Sequence, residues 1–278
     1  MYGYSELERD RERYTCLGAE TTVIGKSVEG RDIVCFCVGE GGSTVLSTAA
    51  IHARENASAH VVTAQIRAAL KAPKGFRRLF VPLVNPDGAE AVIRAAECGD
   101  SKGMLVKSNA RGVDLNVNFD ARWGSGEQNV FARGDANFVG EKPFSEPESA
   151  ALREIVEREN VKLTLSYHTM GRELYWYFFQ KENLGRDFAL ARYIESYLKH
   201  AYRRIDSDLG SAGGFKDWCI EKKGISAFTL ELGEGVHPLK EKDLKEDIAL
   251  NRYLVEALSE RINDDRRRLH ETCPRRSI

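Results

Sequence analysis

Apolar residues recur along this chain in two alternating patterns. The segments RDIVCFCVG (31–39), STVLSTAAIH (43–52), RRLFVPLVNP (77–86), VKLTLSYH (161–168) and ISAFTLEL (225–232) are short apolar runs rich in β-branched and aromatic residues, which predicts strands. Between them lie helix-like stretches at SELERDRER (5–13), NASAHVVTAQIRAALKA (56–72), PFSEPESAALREIVEREN (143–160), about 185 to 204 and about 243 to 263. Ser145 and Glu148 have the spacing of a capping box at the start of the third. Cys35 and Cys37 alternate with Phe36, as two residues on one face of a strand do. The alternation predicts an α/β fold: a single domain over 1–278 with a central mixed, partly parallel sheet flanked by helices.

Two departures from regular patterning follow. A Gly/Asn/Asp-rich stretch from about 97 to 143 is too long for a simple connector, and such loops in compact domains tend to be functional. The terminal run DDRRRLHETCPRRSI (264–278) reads as an exposed tail. In sheets of this class ligands gather beyond the carboxyl ends of the strands, and His52, Asn85, His168 and Glu231 all lie at or near such ends.

Composition narrows the partners. The 278 residues are 42% hydrophobic, enough for one large core, and the net charge of −1 leaves no electrostatic footprint for nucleic acid. MYGYSELERDRERYTC has no apolar leader core and no run reaches the ~18 apolar residues of a membrane span. A cytoplasmic protein is expected, with its 6 cysteines as reduced thiols in or near the core. The partner expected is a small molecule or peptide rather than nucleic acid or membrane.

The strand ends carry the chemistry. HARE places His52 and Glu55 together after an apolar run, and His168 leaves another strand in LTLSYHTMG. Two histidines and a glutamate form a set that holds one zinc ion and leaves a position for water. Glu231 sits between Leu230 and Leu232, near Phe228, where low polarity raises the proton affinity of a carboxylate and suits a general acid/base. Taken singly, His-x-x-Glu recurs by chance and a carboxylate in an apolar strand is more often a satisfied structural group. The set has to be judged together.

HARE, NPDG (85–88), GVDLN (112–116), SYH (166–168) and FTLEL (228–232) occur in the order and rough spacing of the zinc carboxypeptidase family, which this chain resembles over nearly its whole length. KSNARGVDLNVNFDARWG, KPFSEPESAAL, SYHTMGRELYW and AGGFKDWCI are similar to the bacterial γ-D-glutamyl-diamino-acid peptidases, which cut cell-wall peptides. The resemblance implies that His52, Glu55 and His168 hold one Zn²⁺ per chain, that Glu231 is the general acid/base, and that Arg54 and Asn116 line the substrate side. It puts Lys107 at the oxyanion-stabilising position, with Arg111 as the substitute; an ordinary loop lysine is the other reading of Lys107. Family members follow the GVD-x-Asn segment with an arginine that grips a C-terminal carboxylate, where this chain has Val117. Lys216 falls where the family's specificity pocket reads the side chain next to the cut, although a surface lysine at a helix start is the competing reading. The tyrosine that closes over substrate has no match at Asp208-Leu209-Gly210.

The implied activity is therefore a zinc metallopeptidase on a cell-wall stem peptide, cutting a γ-D-glutamyl-diamino acid bond. A carboxypeptidase of ordinary peptides and a catalytically silent peptide binder are the alternatives. His60, His200, His237 and His270 have no ligand-like context, and Tyr175 flanks the cleft or belongs to the core.

Overall fold

The computed structural model describes residues 1–41, 44–72, 75–134, 136–207 and 209–271, with side chains as far as Asn263. Eight strands form one mixed sheet: β1 (Glu20–Lys26), β2 (Asp32–Val38), β3 (Thr44–Ala49), β4 (Arg77–Val81), β5 (Val161–Thr169), β6 (Glu173–Tyr175), β7 (Arg203–Ile205) and β8 (Ser226–Leu232). Their order is β1-β2-β4-β3-β5-β8-β6-β7. The four inner strands β4, β3, β5 and β8 run parallel, while β2 joins β4 and β6 joins β8 antiparallel. Parallel strands are covered on both faces, which is why β3 reads as an unbroken buried run.

Side-chain parity divides the core. Val34, Phe36 and Val38 enter one apolar cluster, together with α1 (Tyr4–Cys16), α2 (Ala59–Ala69) and α5 (Leu184–Tyr197). Ile33, Cys35 and Cys37 enter the other, against α4 (Pro147–Arg158) and α6 (Phe215–Lys223). The expected strand face shared by Cys35 and Cys37 is thus observed, and both thiols are free. Cys16 and Cys98 are exposed instead of near the core, and Cys273 lies outside the described residues.

Several elements differ from expectation for local reasons. NPDG opens a helix, α3 (Pro86–Glu97), because Asn85 caps it through Gly88 N and Pro86 stands at the first turn. β1, β6 and β7 carry little pattern: β1 is a mostly exposed edge strand and the other two have three residues each. The expected capping box at Ser145 is replaced. Glu146 is the cap residue, and Glu148 turns inward to accept from Val28 N and Asn109 Nδ2. The last helical stretch divides into α7 (Glu241–Asn251) and α8 (Leu254–Glu271), so helix continues into the segment expected as a tail, while 272–278 lie outside the described residues. Among the described residues, 98 to 146 hold two single 3-10 turns and one isolated bridge between Val130 and Phe138. No helix among them is long and apolar enough to cross a membrane.

Candidate metal centre and cleft

Three strands end at one place. On β5, Leu163, Leu165 and Tyr167 face the first cluster, so period two turns His168 to the opposite face. On β8, Phe228, Leu230 and Leu232 do the same and leave Thr229 and Glu231 facing a cleft. His168 and Glu231 are register partners on these neighbouring strands. β3 ends at Ala49, and the chain then turns through Ala50, held by Ser58 Oγ, to deliver His52 and Glu55 in a short 3-10 segment, Ala53–Ser58. Asn85 fastens this loop by donating from Nδ2 to Ile51 O and Ser108 O. Ala53 N and Arg54 N donate to Lys107 O and Val106 O, which fixes the two loops edge to edge.

His52, Glu55 and His168 are buried and form one group able to hold a metal ion. His52 Nδ1 lies 3.0 Å from Glu55 Oε1, His168 Nδ1 lies 3.1 Å from Glu55 Oε2, and the two Nδ1 atoms are 3.3 Å apart. Two donors on one tetrahedral zinc with bonds of about 2.0–2.1 Å stand about 3.3 Å apart, so the observed spacing suits zinc. Charge fits as well. Glu55 and Asp114 are both buried carboxylates, and with neutral imidazoles Lys107 supplies one compensating charge, leaving room for a cation.

Asp114 completes the group behind His52. Its Oδ1 accepts from His52 Nε2 at 3.1 Å and from Asn116 N at 2.9 Å, and its Oδ2 pairs with Lys107 Nζ at 2.6 Å. The bond to Nε2 leaves Nδ1 as the atom free to bind a metal. Burial opposes charge on His52, but the Glu55 and Asp114 carboxylates outweigh it and push its pKa up to about 9. Burial likewise lowers the pKa of His168, against the pull of Glu55. Burial would raise the Glu55 and Asp114 carboxyls, yet His52, together with His168 for the first and Lys107 for the second, holds both well below the usual range. Glu231 differs: burial and the nearby Glu55 charge push it up to about 8. Its carboxylate accepts no hydrogen bond from another side chain among the described residues.

The cleft beside Glu231 has a volume of about 300 Å³, and Lys107, Asn116, Val117, Tyr175, Lys216 and Thr229 are among its walls. Lys107 Nζ also donates to Asn137 Oδ1 at 2.7 Å. Asn116 Oδ1 accepts from Phe215 N, at the start of α6, so its amide nitrogen is the group left for a ligand. Gly213, at φ +80, packs on Val117, where a Cβ would meet Val117 O at 2.7 Å. Lys216 is buried, unlike a surface lysine: Nζ donates to Tyr177 O (3.0 Å) and Asp217 Oδ1 (2.5 Å) above the Phe178 ring. Tyr175 faces the cleft and donates to Glu173. Leu209 lines it too, while Asp208 lies outside the described residues. A second cavity, on the far side of Lys107 and Asp114, is bordered by Arg54 and Lys102.

Arg111 stands apart from these walls. It borders neither cavity: its guanidinium turns toward Ser145 O and Glu146, because Gly112 and the Asn109 turn direct it outward. Sequence reasoning also missed groups. Asp114 lay inside a recognised motif and was findable, since a ligating histidine needs a partner for its other nitrogen. Asn137 carried no such signal, whereas Tyr175, left between cleft and core by the sequence, lines the cleft. His237 reaches Thr169 Oγ1 at 3.4 Å, His60 packs edge-on to Tyr2, and His200 is exposed; the side chain of His270 lies outside the described residues.

An α/β sheet with a His-Glu-His group at its parallel strand ends, and a carboxylate of raised pKa beside it, defines a metallohydrolase. Residues 17–253 match the family model for zinc carboxypeptidases. The chain belongs to the zinc carboxypeptidase family; it is a zinc metallopeptidase, and zinc is its metal. It is 30% identical over 271 residues to gamma-D-glutamyl-L-diamino acid endopeptidase 1 of Lysinibacillus sphaericus, covering 86% of this chain and 67% of that one. It is 33% identical over 153 residues to murein peptide amidase A of Escherichia coli (strain K12), covering 52% of this chain and 57% of the relative. Among solved structures, bovine thrombin-activatable fibrinolysis inhibitor, in complex with tick carboxypeptidase inhibitor, superposes with a TM-score of 0.79 over 94% of this chain and 96% of that one at 20% identity, a likeness of fold.

Proposed function

We propose that this protein hydrolyses the γ-D-glutamyl-diamino acid amide bond of cell-wall stem peptides. The observation that carries the reading is the cleft wall: Val117 stands where a carboxylate-gripping arginine is expected, and Lys216 supplies a buried cation further along the same cleft. Valine makes no bidentate contact with a terminal carboxylate. Lys216 has three N–H donors and uses two on protein acceptors, which leaves one for an anionic group of the substrate. The names of two relatives, an endopeptidase of γ-D-glutamyl-diamino acid bonds and a murein peptide amidase, support the same substrate class.

His52, Glu55 and His168 would hold the zinc, which when bound supplies Lewis acidity to the scissile carbonyl and to water. Glu231 takes a proton from the attacking water and returns it to the leaving amine, a task suited to a carboxyl whose pKa lies near neutrality. Lys107 faces the oxygen on which negative charge develops; Asp114 and Asn137 hold its ammonium in place, so little reorganisation is needed. Arg54 borders the second cavity with a buried Nε that has no protein acceptor, and it would bind a carbonyl or carboxylate on the acyl side. Asn116 offers its amide nitrogen from the opposite wall.

The experiment is mass spectrometry of stem peptides incubated with zinc-loaded protein. Tripeptide stems, free and C-terminally amidated, are expected to be cut at the γ-D-glutamyl bond at rates within about tenfold of each other, a difference of ~1.4 kcal/mol or less. Loss of activity on amidation, or faster trimming of an α-linked L-peptide, would identify an ordinary carboxypeptidase.

A further inference from the structure

We propose that Asp247 is a positioning residue for Glu231, acting through the turn that ends β8, and that a buried file of hydrogen bonds ties this turn to the strands bearing the histidines. The inference rests on Glu231 being the general acid/base. Gly233 lies two residues beyond Glu231, at φ +64, where a Cβ would meet Leu239 Cδ1 at 2.1 Å. Its N–H donates to Asp247 Oδ2 at 2.8 Å, and its carbonyl accepts from Gly171 N at 3.0 Å, just past the end of β5. The turn is therefore held from α7 on one side and from β5 on the other. Because His168 and Glu231 are register partners, a displacement of this turn changes the offset between the metal group and the acid/base.

From Asp247 the hydrogen bonds continue across the face of the sheet opposite the cleft. Tyr202 Oη donates to Asp247 Oδ1 at 2.6 Å and accepts from Asn251 Nδ2 at 3.1 Å. Tyr167 Oη donates to Asn251 Oδ1 at 3.2 Å and accepts from Gln65 Nε2 at 2.8 Å; Gln65 Oε1 accepts from Ser47 Oγ at 2.7 Å. Each tyrosine hydroxyl in the file donates once and accepts once, so the donor direction is unambiguous and ends on the carboxylate. All six side chains are buried. Tyr167 is the residue before His168, and Ser47 lies on β3, which leads to His52. One chain of bonds thus touches each strand that delivers a site residue. Apolar side chains could fill this volume without the desolvation cost of a buried carboxylate, so the network is best accounted for by what it aligns.

The test measures kcat, KM, zinc content, Tm and amide exchange over 226–236 for Asp247→Asn, Tyr202→Phe, Glu231→Gln and a control, Leu258→Ala, in the same apolar cluster. An asparagine has one acceptor oxygen where Asp247 uses two, so it cannot accept from both Tyr202 and Gly233 in their present positions. Asp247→Asn is expected to keep its zinc and its KM within about threefold, to lose about 10- to 100-fold in kcat, as a displacement of under about 1 Å can cause, and to exchange faster at Gly233. Tyr202→Phe leaves the Gly233 bond in place and is expected to lose about threefold or less, so it reports even if Asp247→Asn fails to fold. Leu258→Ala should lower Tm at least as far with kcat within about twofold of the parent. A parental kcat in Asp247→Asn, or a kcat that falls with Tm as it does in the control, overturns the inference. If Glu231→Gln turns over at the parental rate, the assignment of Glu231 fails and carries this inference with it. An inactive Glu231→Gln beside a fully active Asp247→Asn removes the positioning role alone.

Discussion

The residues of the site come from two kinds of chain, and the two are held by different physics. His52, His168 and Glu231 stand at the ends of parallel strands, where register and side-chain parity set direction: on β8 every second residue from Phe228 to Leu232 is core, which leaves Glu231 on the cleft side. Lys107, Asp114, Asn116 and Asn137 stand on irregular chain between 98 and 146, where each direction depends on a particular hydrogen bond. The strands give precision through packing shared with the whole core, whereas the loop gives it through local pairs that can be removed one at a time. Substitutions at strand ends should therefore alter chemistry with little change in neighbouring groups, and loop substitutions should spread to their partners.

The largest effect is expected at Glu231. Glu231→Gln keeps shape and removes the proton carrier, so turnover should fall by about 10²- to 10⁴-fold while zinc content stays near one per chain. Steady-state kinetics with metal analysis check this, and a turnover within a few-fold of the parent would take Glu231 out of the mechanism.

Next comes the metal-free protein. His52 has a pKa of about 9 when the site holds no cation, above its ordinary value of 6.5. A raised imidazole pKa stabilises the folded state fully below 6.5, and the contribution disappears as pH rises through 9. The chelated protein should then lose stability between pH 6.5 and 9 by an amount on the order of 3 kcal/mol at most, read by urea unfolding. The zinc-loaded protein should lack this slope, because metal and proton compete for the same nitrogen. A chelated protein equally stable at both pH values would mean that His52 is not charged there.

Asp114→Asn tests the loop side of the comparison. One amide cannot accept from both His52 and Lys107, since one of its two ends is a donor. Zinc affinity should fall about 10- to 100-fold, and Lys107 should lose its anchor along with it. Competition with a chelator measures the first. The second appears as a kcat loss that persists at saturating zinc, and its absence would uncouple the two loops.

Much of this division was legible in the sequence. Short apolar runs that deliver His52, His168 and Glu231 at or near their ends showed both the parallel core and the place where its strands converge, because burial on both faces leaves a nearly unbroken hydrophobic signature. β1 was not legible, since an exposed edge strand has no face to hide. The start of α4 was misread because Glu148, three residues after Ser145, turned inward to Val28 and Asn109, a tertiary choice that local spacing cannot express. In the loop, residue identity said which side chains were chemically capable and nothing of which way they face. For Lys216 the sequence left a specificity-pocket residue and a helix-start surface lysine both open, and the side chain is buried against Asp217 and Phe178.

Arg111 shows that limit most directly, and the smallest expected effect belongs to it. From the sequence it was the substitute oxyanion donor for Lys107, four residues away, and its guanidinium offers a fork of donors where lysine offers a point charge. In the fold the chain reverses at Gly112, φ +78, and Asn109 Oδ1 accepts from both Arg111 N and Val113 N, which turns the arginine outward to Glu146 at 3.7 Å. The side chain is 48% exposed, so the pair is screened and contributes about 1 kcal/mol or less. Arg111→Ala should leave kcat/KM within about twofold and Tm nearly unchanged, whereas Lys107→Ala in the same assay should cost about 10²- to 10³-fold in kcat. If the two variants lose activity equally, the loop rearranges when substrate binds and the outward direction of Arg111 belongs to the free protein alone.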